Sequence, residues 1–187
     1  MRQIDGTADR AVGARPGQAR LRKRKVSRYT GRLSGIAVVS PAEGTILGHV
    51  DAPLFDPVSL RLRAFQVKGN GQTFIVPLDL VRSIGVDAVT VESSQATQIP
   101  SKGGEFGSLV ELSALKRLKV VDSAGTLLGT LHDIELDQTT GLALRIVVHK
   151  SGLLGFGGET TSIEAAGIRS VGGELITVVE AQAQPAK

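Results

Sequence analysis

The sequence predicts an all-β protein built from two small barrels in tandem, punctuated by short helical turns. Three observations carry this expectation. An internal repeat spans most of the chain, β-rich runs recur between turn residues, and no ten-residue amphipathic helical pattern is present. Composition agrees, since 41% of the 187 residues are hydrophobic but only 3% are aromatic. The core therefore has to be built from Val, Ile, Leu and Ala, which suit packed strands.

The repeat emerges when VVSPAEGTILGHVDAPLFD (38–56) is laid over VVDSAGTLLGTLHDIELD (120–137), with one extra residue in the first turn. Gly44 then meets Gly125, Thr45 meets Thr126, Leu47 meets Leu128, Gly48 meets Gly129 and Asp56 meets Asp137, all at an offset of 81. Further on, RSIGVDAVTV (82–91) lies over RSVGGELITV (169–178) at an offset of 87, the extra length falling in the preceding loop.

Taken in chain order, residues 1–32 form a basic tail and the first barrel occupies 33–93. Residues 94–113 have linker composition, the second barrel occupies 114–180, and 181–187 form an unstructured tail. In the second unit Leu142, Leu144, Ile146 and Val148 alternate with Ala143, Arg145 and Val147, the period of a strand with one buried face. Leu60, Leu62 and Ala64 alternate with Arg61 and Arg63 in the first unit. TFIVP (73–77), AVTV (88–91) and LITVV (175–179) are further strand candidates. LDLVRSIG and IEAAGIRSVG each have room for one helical turn, and Gly-rich stretches at 69–71, 155–158 and 172–173 supply turns. Strands this short, at this spacing, favour closure into barrels, because closure removes exposed edges.

The order of these features resembles the PRC-barrel domain. Val-Val, a turn, Gly-x-x-x-Gly, an acidic residue, an alternating strand, a Gly-rich turn, then "VP" and IGVDAVTV follow one another as in that family, and GLLGFGGETTSI is similar to the matching loop of its stand-alone bacterial members. The family includes the barrels of the photosynthetic reaction-centre H subunit and of a ribosome maturation factor. The resemblance implies a tandem pair of small six-stranded barrels serving as adaptor or assembly modules, without catalytic residues or a cofactor to carry over. Ile163 and Glu164 stand where the first unit has Val76 and Pro77, which predicts a different entry into the last turn of the second unit.

Charge separates the tail from the barrels. Residues 1–32 carry ten Arg or Lys against Asp5 and Asp9, whereas each barrel is slightly acidic, so the net charge of +4 says little about the folded part. Arg20, Arg22, Lys23, Arg24, Lys25, Arg28 and Arg32 are the candidate contacts to an anionic surface, either RNA or membrane lipid. Two readings of this tail stay open: a solvated extension, or one outside the natural start, and an auxiliary tether. The absence of Cys excludes disulfides and thiolate sites, and no apolar run reaches the length of a membrane span. The expected setting is cytoplasmic, with peripheral attachment to the inner face of the membrane as the variant.

Catalytic and metal readings find little support. His132, Asp133 and His149 do not overlie His49 and Asp51 as like residues, and neighbours on a regular strand point to opposite faces, so solvated histidines are expected. Asp133, Glu135 and Asp137 share one expected strand face, read as a solvated acidic face rather than a cation site. Leu153, Leu154 and Phe156 on the Gly-rich loop are the candidate partner-binding or dimerising patch. The expected partner is a protein, held by two barrels on a flexible linker.

Overall fold

The computed structural model describes residues 27–101, 103–152, 158–179 and 184–185, and it is all-β with two sheets. The first sheet contains β2 (Ala37–Ser40), β3 (Thr45–Phe55), β4 (Leu62–Gly69), β5 (Gln72–Pro77), β6 (Val81–Ile84) and β7 (Ala88–Val91), in the order β5-β4-β3-β2-β7-β6. The second contains β9 (Lys119–Asp122), β10 (Leu127–Asp137), β11 (Ala143–Ser151), β12 (Gly158–Glu164), β13 (Ile168–Val171) and β14 (Leu175–Val178), in the order β12-β11-β10-β9-β14-β13. Strand for strand the two orders correspond. Each contains one parallel pair, β2 with β7 and β9 with β14, among antiparallel neighbours.

Both sheets bend at a β-bulge placed at the same point of the repeat. The register of β3 on β4 shifts between Val50 and Ala52, and that of β10 on β11 between Leu131 and Asp133. Asp51 and His132 are therefore the extra residues, and strict alternation does not hold across them. Just upstream the paired backbones come very close. A Cβ on Gly48 would stand 2.3 Å from the Lys68 carbonyl oxygen, and one on Gly129 2.4 Å from that of His149. Only glycine fits there, which explains the Gly-x-x-x-Gly spacing in both units. The helical turns appear as 3-10 turns at Leu78–Leu80 and Ala165–Gly167. The different entry expected for the second is not seen: Pro77 (φ −59, ψ 144) and Glu164 (φ −61, ψ 136) lead in alike, because both residues suit the same extended backbone.

The units exchange their opening strands. β1 (Ser27–Tyr29) leads the first unit yet pairs with β10, setting Arg28 opposite Leu136 and Tyr29 opposite Glu135. β8 (Val110–Glu111) and helix α1 (Leu112–Leu115) lead the second unit, and β8 pairs with β3, setting Val110 opposite Phe55. Across the junction Leu62 N–H donates to the Gly141 carbonyl at 2.9 Å and Arg61 Nε to the Thr140 carbonyl at 3.0 Å. One hydrophobic cluster runs through both units, including Phe55, Phe65, Leu60 and Val89 from the first and Leu131, Ile134, Leu136 and Ile176 from the second.

This architecture corrects three expected boundaries. The fold starts at Ser27 rather than after residue 32, because β1 is held in the second sheet. The 94–113 segment is not a free tether: Ser94 N–H donates to the Glu43 carboxylate, Gln98 bridges to Ile75, and Val110 onward belongs to the sheet and α1. At the other end Gln184 and Pro185 (β15) pair with Ser162 and Thr161 of β12, within the tail expected to be unstructured. Among the described residues, no helix is long and apolar enough to cross a membrane.

Candidate interaction groove

The outer face of β3, β4 and β5 carries Leu54, Ala64 and Ile75, all buried although they lie outside the main core. They are covered by the returning chain, whose Phe106 and Leu109 pack on them. Phe106 lines two clefts. One cleft, of about 510 Å³, is walled by Arg61, Arg63, Leu78 and Leu80 of the first unit and by Thr139 and Thr140 of the second. The other, of about 490 Å³, is walled by Leu54, Gln66, Ile75, Ile99 and Pro100. Gln98, Glu105 and Phe106 belong to both, so the clefts adjoin as one groove at Phe106.

The groove combines exposed apolar surface with charges of both signs: Arg61 and Arg63 stand at one end with Asp79, Glu105 lines both clefts, and Glu111 lies at the other end. Ile99 is 88% exposed and Leu80 41%. Arg61 is fixed by its bond to the Thr140 carbonyl, and Arg63 beside it is exposed. Neither arginine forms an ion pair within 4.0 Å among the described residues. The Asp56 carboxyl is held below its ordinary value chiefly by the Ser59 N–H and hydroxyl, with the charge of Arg63 a lesser contribution. The equivalent positions of the second unit, Leu142 and Leu144, are apolar.

The second unit's corresponding face is built differently. Glu135, Arg145 and Glu164 replace Leu54, Ala64 and Pro77, and Arg145 bonds Glu164 at 2.6 Å and Glu135 at 3.2 Å. Its guanidinium is held above its ordinary value, first by Glu164 and then by Glu135. The three carboxylates expected on one face thus have separate structural duties. Asp133 accepts bonds from the Thr30 hydroxyl and Gly31 N–H, anchoring the exchanged segment, and Glu135 pairs with Arg145. Asp137 caps the β10–β11 turn through Thr139 and Thr140 N–H at 3.0 Å, as Asp56 caps the β3–β4 turn through Val58 and Ser59.

Of the basic candidates, Arg28 is a structural clamp rather than a surface contact. Its guanidinium donates to the carbonyls of Gly85, Val86 and Arg32, tying β1 to the β6–β7 turn. Arg32 is exposed. Arg20, Arg22, Lys23, Arg24 and Lys25 lie outside the described residues, as do Leu153, Leu154 and Phe156. The groove itself is absent from the sequence reading. Its signal was the pair Phe106 and Leu109 inside a stretch otherwise of linker composition, large apolar residues that a free tether has no reason to carry.

Two sheets of one topology, each with a bulged long strand and a 3-10 turn before its last hairpin, define an all-β chain built from a structural repeat. A family model of the PRC-barrel domain matches residues 108–182, from just before β8 to just beyond β14. The second half of the chain therefore carries a PRC-barrel domain. No curated protein matches the chain.

Proposed function

We propose that the chain is a non-catalytic tandem PRC-barrel adaptor, in which the first unit is a second barrel of the same type and its outer groove holds a partner protein. The observation that carries this reading is the groove along Phe106, with exposed Ile99 and Leu80 on its walls and, at one end, Arg61 and Arg63, neither of which has an ion-pair partner within 4.0 Å among the described residues although Asp79 and Glu105 line the same cleft. Apolar surface bordered by directed cationic donors suits an extended peptide that presents apolar side chains and an aspartate or glutamate. The shared core makes the two barrels one platform, so a partner meets a fixed surface and little ordering cost is incurred on the adaptor's side.

A random-sequence peptide library displayed against the full-length chain tests this. Enriched sequences are expected to be extended, apolar and acidic, and to be lost in Arg63→Glu and in Ile99→Asp, two exposed positions whose replacement leaves the fold intact. Absence of enrichment, or enrichment that survives both replacements, would overturn the groove as the partner site.

A further inference from the structure

The bulge on each long strand brings two side chains together across the strand pair. In the first unit they are Asp51 and Lys68, whose tips meet in an ion pair at 2.9 Å. At the offset of the repeat these positions become His132 and His149 in the second unit. Their rings stand with centroids 6.0 Å apart, tilted by 50°. Strict alternation, which would set His132 and Asp133 on opposite faces, does not hold here because His132 is the extra residue of the bulge.

We infer that His132 and His149 form a binding site for a divalent transition-metal ion of the borderline class, such as Cu²⁺ or Zn²⁺, held by two imidazole nitrogens. Geometry supports it from two sides. With metal–nitrogen bonds of about 2.0–2.1 Å, two imidazoles on one tetrahedral ion have centroids about 5 Å apart, close to the separation of these two rings. The ion pair at the equivalent positions places the two corresponding side chains on one side of the bulged strand pair, facing each other. The Nδ1 of His149 lies 3.4 Å from the Thr160 hydroxyl and its Nε2 over Gly158, 2.8 Å from where a Cβ would stand, so the ring has to turn off β12 to offer Nε2 to an ion shared with His132. The ring rests on β12 over Gly158, where a Cβ would stand 2.4 Å from Cε1; a larger residue would displace it.

Among the described residues no group of three or more His, Asp or Glu gathers at one point, so the remaining coordination positions fall to water. Imidazole is a ligand suited to copper and zinc, and carboxylate-preferring Mg²⁺ and Ca²⁺ are not expected to bind here. Lys68 and Asp51 offer no such site in the first unit, which makes the chain its own control.

The experiment is a titration of the full-length chain with CuCl₂ or ZnCl₂ by calorimetry, with electron paramagnetic resonance on the copper sample. The chain has three histidines, so the ligands can be assigned by elimination. His132→Ala and His149→Ala are each expected to weaken binding by about tenfold or more, on the scale seen for losses around a metal site, and to remove the two-nitrogen copper signal. His49→Ala should leave both unchanged, and Asp51→His with Lys68→His should add a second equivalent of bound metal. Equal affinities in the wild type, His132→Ala and His149→Ala would overturn the site, as would loss of the signal in His49→Ala. Far-ultraviolet circular dichroism of each variant confirms that the fold is retained, which exposed His132 makes the expected result.

Discussion

Where the first unit sets Leu54, Ala64 and Pro77 side by side across three strands, the second sets Glu135, Arg145 and Glu164. Where the first has Asp51 against Lys68, the second has His132 against His149, and where the first opens β4 with Arg61 and Arg63, the second has Leu142 and Leu144. Yet both keep the glycine at the close strand approach and the aspartate that caps the long hairpin. The frame is set by backbone demands that few residues can meet, while the outer faces are free to differ. Binding chemistry is therefore to be sought in the differences, and folding chemistry in the matches.

The largest expected effect concerns what the units share. Phe55 is fully buried opposite exchanged Val110, and its repeat counterpart Leu136 is buried opposite exchanged Arg28. Phe55→Ala should cost about 3–5 kcal/mol and Leu136→Ala about 2–5 kcal/mol, from lost burial and residual cavity. Because one core cluster contains both residues, urea melts followed by circular dichroism should show a single transition that moves in either variant. Two separate transitions, one for each unit, would break the comparison by showing that the exchange does not couple them.

The next effect tests the differing faces. Arg145→Ala leaves the Glu135 carboxylate, whose side chain is 9% exposed, without its partner, and should cost about 1–3 kcal/mol. Converting the trio to the first unit's residues, Glu135→Leu with Arg145→Ala and Glu164→Pro, should restore stability to within about 1 kcal/mol of the wild type, since an apolar replacement removes the charges together. The φ of −61° at Glu164 already suits proline. Chemical melts of the single and triple variants read the difference directly. A triple variant less stable than Arg145→Ala would show that the two faces are not interchangeable.

Much of this frame was legible in the sequence because it rests on local rules. The glycine spacing, the matched aspartates and the helical turn after each fifth strand all report neighbours within a few residues or one hairpin. The alternation expected over 142–148 does not hold: Leu142 is 48% exposed and Ala143 packs on the core, because the register slips between Glu135 and Leu136. Strand exchange was not legible, since SRY and VE are too short to declare a partner, and pairing with the other unit leaves no local periodicity. The same holds for Arg28, whose place in a run of basic residues concealed that its acceptors are carbonyls 57 and 58 residues away. The bulges were equally hidden, and with them the meeting of His132 and His149. A single extra residue shifts every later side chain on its strand relative to the partner, and the repeat offset alone does not reveal where that happens.

The smallest expected effect separates the two bulge pairs by pH. The Asp51 carboxyl is held below its ordinary value of 3.8, first by the hydrogen bond from Lys68 and then by that from Gln66. Its folded-state pKa is depressed, so its contribution is fully present above about pH 4 and is lost as the pH falls through the folded value. The second unit, with His132 at this position, has no carboxylate to lose. Asp51→Asn should therefore lower stability near neutral pH by about 0.2–1 kcal/mol, the range for exposed pairs, because water screens both side chains. Urea melts along a descending pH series should show the gap between wild type and variant closing below the ordinary aspartate pKa. A gap that stayed constant to the acid limit would mean that the Asp51–Lys68 pair contributes packing rather than charge, and that the two bulges differ in their chemistry without differing in their energetics.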